Sequence, residues 1–305
     1  MTDTNGHRYL VFGASGFQGG AVARLLAEQG HAVRGFARRE VGADKATGGV
    51  TMVQGDLADA AAVRAAFEGI THAALVMPLV YDQETVETYA RNVAEAAVAA
   101  GVRRLVYNVN TPLPGEKTPY ASFETRRAVE GILRDSGVPL VVVRPPVYLD
   151  NLFSPWNGPA LVDDGVLAYP LPAGRRVAWL SHTDLAAAVV AALGAEGLEG
   201  ETLEIGGAEA VTGPELAAAF ARALGREVTY LALDPAEFEA GLGQVVGADA
   251  AAGVAGIYRW AAEGREPELF AADPKATEQR LGIRLTPIGE WISAQPWHIW
   301  AKKND

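Results

Sequence analysis

The chain has 305 residues, enough for one large or two modest domains and for a core on both faces of a sheet. Its 49% hydrophobic and 21% charged content excludes a disordered chain, and the lack of cysteine excludes disulfides, thiolate metal sites, iron–sulfur clusters and a cysteine nucleophile. A formal net charge of −11 speaks against non-specific binding to nucleic acid or an anionic membrane, and the pairs Arg103–Arg104 and Arg175–Arg176 are too short to reverse it.

The segment Met1–Arg8 is polar with no secretory apolar core, and no apolar run approaches the ~18 residues of a membrane span. The expectation is a cytoplasmic protein whose partner is a small molecule rather than nucleic acid or a membrane. Tyr9–Phe12 reads as a strand, broken by Gly13-Ala14-Ser15-Gly16-Phe17-Gln18-Gly19, with a helix over Ala21–Gln29. Strands follow at Ala32–Ala37 and Val50–Gln54, then a helix over Ala60–Phe67 with Asp59 as N-cap. A strand at His72–Val76 ends at Met77-Pro78, and a long helix over Glu84–Ala100 carries Val86, Ala90, Val93 and Ala97 on one face. Arg104–Val109 and Leu140–Arg144 are strands, with a helix over Glu124–Asp135 between them.

Strand–helix alternation with near-continuous apolar strands predicts an α/β fold, a doubly wound parallel sheet of Rossmann type. Residues 1–150 would bind a dinucleotide. From about Asn151 the rhythm breaks at Pro155, Pro159, Pro170 and Pro172, so 151–305 would be mostly a smaller substrate domain. Within it, Ala186–Leu193 reads as a buried helix, and a strand at Thr202–Ile205 would return to the sheet. A helix over Pro214–Leu224 has Thr212 as N-cap, and the remainder reads as helices and loops.

The glycines at 13, 16 and 19 sit between the first strand and the first helix. There a bare backbone admits a phosphate, the helix amides face it, and the third glycine lets helix and sheet approach. A ligand-free tight turn would explain one glycine, not three at this spacing. The second strand ends in Ala37-Arg38-Arg39 with no acid, which suits a 2′-phosphate and favours NADP(H) over NAD(H), unless the two arginines are a solvated pair with Glu40 as partner. Asp56 would accept from the adenine amino group or shape its own turn. The expected cofactor contacts are Gly13, Ser15, Gly16, Phe17, Gln18, Gly19, Arg38, Asp56, Leu57, Met77, Pro78, Asn110 and Arg126. Tyr107 and Asn110 lie toward the crevice end of the fifth strand. The five histidines show no metal spacing, and no Ser–His–Asp set with a nucleophile elbow is present.

The Gly13–Gly19 loop, Ala37-Arg38, Gly55-Asp56-Leu57, Arg144-Pro145 and Asp150-Asn151 together resemble the NmrA-like branch of the atypical short-chain dehydrogenases/reductases. The resemblance continues through Ser181-His182-Thr183-Asp184, Glu204-Ile205-Gly206-Gly207, Thr212-x-x-Glu215 and Leu224-Gly225. It implies an NADP(H)-binding fold with a small C-terminal substrate domain. Its members reduce quinones, enones or aromatic ethers, or sense the dinucleotide without turnover. The catalytic stretch departs from the family. Where classical relatives carry Tyr-x-x-x-Lys and NmrA-like ones often keep the lysine alone, this chain has Ser122 and Arg126, with Glu130 four residues on.

Arginine stays protonated, so Arg126 would hold a ribose or polarise an oxygen, or else form a surface pair with Glu130. Tyr120 and Lys117 are the nearby groups that could supply a proton. Tyr148, Phe153, Trp156, Trp291, Trp297 and Trp300 would line an apolar pocket for a flat substrate or belong to the core or an interface. Two functions are expected from this: an NADPH-dependent reductase of a conjugated or aromatic carbonyl, or an NADP(H) sensor acting through a protein partner.

Overall fold

The computed structural model describes residues 6–39 and 49–302. Among these described residues nine strands run in chain order: β1 (Arg8–Phe12), β2 (Ala32–Ala37), β3 (Val50–Gln54), β4 (His72–Val76), β5 (Arg104–Asn108), β6 (Leu140–Arg144), β7 (Val166–Tyr169), β8 (Thr202–Glu204) and β9 (Thr229–Ala232). Seven form one wholly parallel sheet in the order β3-β2-β1-β4-β5-β6-β8. The order reverses between β1 and β4, which is where doubly wound sheets open a crevice at their C-terminal ends. A separate parallel pair, β7 and β9, was not anticipated from sequence. Each has four residues, too few for an alternation to stand out.

The first helices are α1 (Phe17–Glu28), α2 (Ala60–Ala66), α3 (Gln83–Ala99), α4 (Ala121–Asp135) and α5 (His182–Gly194). They are followed by α6 (Gly213–Leu224), α7 (Pro235–Val246), α8 (Ala248–Ala262), α9 (Pro274–Leu281) and α10 (Ile288–Ala294). Period-two strands divide the core cleanly. Leu10 and Phe12 of β1 and Val142 of β6 pack with Val63 of α2, Val86 and Val93 of α3 and Val129 of α4. Tyr9, Val11, Val141 and Val143 face the other way, against Val22 and Leu26 of α1 and Leu185 and Val189 of α5. Each such side chain fully buried contributes ~1.5–3 kcal/mol.

Caps set the boundaries. Asp59, Asp82, Ser181, Thr212, Asp234 and Asp273 each accept a backbone N–H at the start of α2, α3, α5, α6, α7 and α9, and Thr212 with Glu215 forms a full capping box. Three helices begin three or four residues earlier than the apolar pattern suggests: α1 at Phe17, directly on its glycine N-cap, α4 at Ala121, with Tyr120 as N-cap, and α5 at His182, with Ser181 as N-cap. Among the described residues no helix is long and apolar enough to cross a membrane.

Candidate active site

A cleft of about 520 Å3 opens at the C-terminal ends of β1, β2, β4, β5 and β6. Its first wall is the turn from β1 into α1. Gly13 takes a left-handed backbone, φ +69°, and its N–H donates to the Phe36 carbonyl. At Gly19 a Cβ would fall 2.5 Å from the Gly13 carbonyl oxygen, so glycine is required for α1 to lie this close to β1. Gly16 is different. Its backbone is ordinary (φ −91°), and a Cβ would meet only the Gly13 oxygen at 3.3 Å. A Cβ at 16 would ask the Gly13 carbonyl to give by only a few tenths of an ångström, far less than at Gly19; a ligand in front of it would leave no room for the side chain. No side chain caps α1, unlike the six helices above, so its first-turn amides stay available to an anion. This cradle fits a pyrophosphate.

Arg38 and Arg39, both exposed, line the cleft beyond β2, where a 2′-phosphate would be read. Glu40 lies outside the described residues. Asp56 and Leu57 line the same end, and Asp56 also accepts from the Ala58 N–H at 2.9 Å, so its carboxylate shapes the turn. Met77 and Pro78 lie at the tip of β4, Asn110 beyond β5, and Pro146, Val147 and Tyr148 beyond β6. Ser15, Phe17 and Gln18 complete the α1 side.

Gln18 ties these tips together. Its Nε2 donates to Asn110 Oδ1 at 2.5 Å, and its Oε1 accepts from Asn108 Nδ2 at 2.8 Å and the Tyr148 hydroxyl at 3.1 Å. Asn110 is held at φ +69°, a strained conformation for a residue with a side chain, and its N–H donates to Asn108 Oδ1. Beside this network His182 donates its backbone N–H to Asp150 and places Nδ1 3.4 Å from the same carboxylate. Burial lowers the His182 pKa against the pull of Asp150, which keeps the imidazole neutral at pH 7.

Arg126 occupies a different place from the one its alignment suggests. It is 2% exposed and is not among the residues lining the cleft. Its two terminal nitrogens donate to the carbonyls of Pro78 at 2.9 Å and Val80 at 3.2 Å, and its guanidinium lies over the Tyr81 ring at 4.9 Å. Glu130 does not pair with it; that carboxylate takes Arg134 and Arg144. Tyr120, the helix N-cap, donates its hydroxyl to Glu263 of the C-terminal half, which raises its pKa. It too is absent from the cleft lining. Tyr107 is fully buried in the core within β5 and is not among the residues lining the cleft.

The second wall comes from the C-terminal half. Phe238, Leu242 and Val246 of α7 line it, as do Val254, Ile257 and Tyr258 of α8, with Tyr169, Asn151, Trp156 and Tyr81. Of the aromatics noted in the sequence, Tyr148 and Trp156 reach the cleft. Phe153 packs edge-on against Trp297 and Trp300, and Trp291 against Trp297, in the core. The α7 residues were missed, although Phe238, Leu242 and Val246 form an apolar stripe at i, i+4, i+8. Among the described residues no group of three or more His, Asp or Glu side chains is placed to hold a metal.

The NmrA-like family model matches residues 6–289. The chain belongs to the NmrA-like family. The NmrA-like chain is 38% identical over 223 residues to the (4-alkanoyl-5-oxo-2,5-dihydrofuran-3-yl)methyl phosphate reductase of Streptomyces griseus, spanning 72% of this chain and 75% of that one. It is 29% identical over 245 residues to quinone oxidoreductase 2 of Escherichia coli, spanning 80% and 82%. The crystal structure of the NADPH-dependent quinone oxidoreductase of E. coli superposes on this fold with a TM-score of 0.74, at 28% identity, covering 93% of this chain and 98% of that one.

Proposed function

We propose that the chain is an NADP(H)-dependent reductase of a small, flat, uncharged conjugated carbonyl compound of the quinone class. One observation carries this reading: the dinucleotide cradle and an aromatic, apolar chamber are two ends of a single cleft. NADP(H) is supported by Arg38 and Arg39 at the tip of β2, and by the NADPH dependence of the E. coli quinone oxidoreductase. When bound, NADPH supplies a hydride. The chain's own part is to place the acceptor: Met77, Pro78 and Asn110 form the floor between the two ends, and Tyr81, Phe238, Ile257 and Tyr258 close over an apolar ring.

Charge narrows the substrate. The cationic side chains among the described lining residues are Arg38 and Arg39, both at the adenine end, while His182 is kept neutral by burial. The substrate end therefore offers no cation to a phosphate monoester among its described lining residues, whereas the name of the S. griseus relative makes that enzyme's substrate such an ester. Arg126 serves as a positioning residue: by holding the Pro78 and Val80 carbonyls it fixes the loop that carries Met77 and Tyr81. Residues up to about 150 supply the cofactor end and later ones most of the substrate end, with Tyr81 crossing that division.

The test is NADPH oxidation, followed at the nicotinamide absorbance, against 1,4-benzoquinone, 1,4-naphthoquinone, a cyclic enone and an azo dye. Turnover is expected with the quinones, and little with a phosphorylated analogue. Tight NADPH binding with no turnover of any acceptor would overturn the reading in favour of a redox sensor.

A further inference from the structure

We infer that Asn151, Tyr169 and Tyr258 form a hydrogen-bond chain that ends in the cleft and holds the substrate's reacting oxygen, with the Tyr258 hydroxyl as donor. The inference rests on the reductase reading and deepens it. Asn151 follows β6, Tyr169 ends β7 and Tyr258 lies on α8, so three separate segments converge here, and all three residues line the cleft. Asn151 Nδ2 donates to the Tyr169 hydroxyl at 3.0 Å, and the Tyr169 and Tyr258 hydroxyls lie 2.7 Å apart.

A count of protons gives the direction. The two phenols carry two protons, and only one can occupy the bond between them. The other has no acceptor among the described residues. The Tyr230 hydroxyl donates to the Leu171 carbonyl at 2.8 Å and makes no hydrogen bond with Tyr258. Since Tyr169 accepts from Asn151, it becomes the better donor to Tyr258, and the chain runs Asn151 to Tyr169 to Tyr258. The proton left over is that of Tyr258, on a residue 5% exposed that faces an otherwise apolar chamber. A buried donor without a partner is disfavoured, so the position calls for an acceptor oxygen from a ligand.

The rings are fixed. Tyr169 stands edge-on to Trp179 at 4.9 Å and perpendicular to Tyr258 at 5.5 Å, and Phe238 packs against Tyr258 at 5.0 Å. Burial pushes the Tyr169 hydroxyl up to about 12 and raises Tyr258 well above its ordinary value, so neither ionises at neutral pH and the chain acts as a donor, not as a base. Hydride addition to a quinone moves an electron pair onto its carbonyl oxygen. A donor fixed at that oxygen stabilises the charge as it develops. The product is the hydroquinone monoanion and NADP+, and a proton from water completes the hydroquinone.

Two measurements on Tyr258→Phe test this. The first uses 4-nitrophenol bound to the protein with NADP+, its ionisation read from the phenolate absorbance. The bound probe should ionise at a pH at least one unit higher in Tyr258→Phe than in wild type. The second is kcat/KM for 1,4-naphthoquinone, which should fall tenfold to a hundredfold while the Kd for NADPH stays within twofold. Tyr169→Phe, which keeps the Tyr258 hydroxyl but removes its donor, should give smaller shifts in the same directions, and stands in if Tyr258→Phe does not fold. Equal probe ionisation in wild type and variant, no binding of the probe to wild type, or unaltered quinone turnover would overturn the chain while leaving the reductase reading intact. A shifted probe in a wild-type protein that reduces no quinone would break the reductase reading and leave the donor chain standing.

Discussion

The two ends of the cleft are made from different chemistry. At the proposed cofactor end the groups that would recognise the ligand are mainly backbone: the Gly13–Gly16 turn, the uncapped amides of α1 and the tips of parallel strands. At the substrate end they are side chains, brought from α7, α8, β7 and the segment after β6. The supports differ as well. α1 has five buried residues, among them Val22 and Leu26, whereas α7 has none and meets the cleft with Phe238, Leu242 and Val246. A backbone site accepts one ligand shape and depends on a few residues that cannot change. A side-chain site can be rebuilt for a new substrate without disturbing the sheet. Substitutions at either end should therefore act on one ligand and spare the other.

The largest effect is expected at Gly16. Gly16→Val leaves an ordinary backbone in place but fills the space before the α1 amides. NADPH affinity should fall more than a hundredfold, over ~2.7 kcal/mol, with the thermal midpoint within a few degrees of wild type. Fluorescence titration beside a thermal melt checks this, and retained affinity in a folded variant would remove the loop from the cofactor site.

Arg126→Ala comes next, and its effect should appear in stability before binding. It strands the Val80 carbonyl, leaves the Pro78 carbonyl with the Val80 N–H alone and uncovers Tyr81, a loss of ~1–3 kcal/mol in urea unfolding. Arg126→Lys should recover little of it. An ammonium cannot bond both carbonyls in the plane of a guanidinium and stack on the ring as well. Full recovery by lysine would mean that a point charge, and not the planar fork, is what the loop needs.

Arg38→Asp should weaken NADPH about tenfold or more and NADH little, because it sets a carboxylate where a 2′-phosphate would be read. Titration of both cofactors decides it: equal losses would place the reader of that phosphate elsewhere.

What could be read from the sequence follows the same division. The strand bounds of β2, β3, β4 and β6 and the apolar face of α3 were legible because propensity, periodicity and caps all agreed there. The glycine turn was legible because its demands are steric and local. Arg126 was not, because spacing within α4 does not say which loop its side chain will meet. The aromatic wall was legible only in part. Tyr169, Asn151 and Tyr258 lie on three separate segments, and it is the tertiary packing of β7, α8 and the turn after β6 that brings them together. Several motif residues proved to be structural. Asp184 accepts from the Thr286 N–H and hydroxyl, Glu204 pairs with Arg144 on the neighbouring strand, and Glu215 closes a capping box.

The smallest expected effect concerns the opposite rim of the sheet, where neither ligand reaches. His72 begins β4 there, with its Nδ1 2.8 Å from the Thr71 hydroxyl and its ring 4.4 Å from that of His7. Burial, with His7, Arg103 and Arg104 adding positive charge around it, lowers its pKa from 6.5 to about 4. The folded protein therefore resists a proton that the unfolded chain takes up readily below pH 6.5. The stabilisation this represents is complete above pH 6.5 and is lost progressively as pH falls toward 4. Between pH 7 and pH 6 the loss is roughly 0.5–1 kcal/mol. Urea unfolding at both pH values should show it in wild type, and a His72→Asn variant, with nothing to titrate at that position, should show a flatter dependence. Because His72 is a strand's length from the cleft, NADPH affinity over the same interval should not follow the stability. If affinity and stability fell together in wild type and were both rescued in the variant, the cofactor end would be coupled to the far rim of the sheet, and the independence of the two ends would have to be given up first on that side.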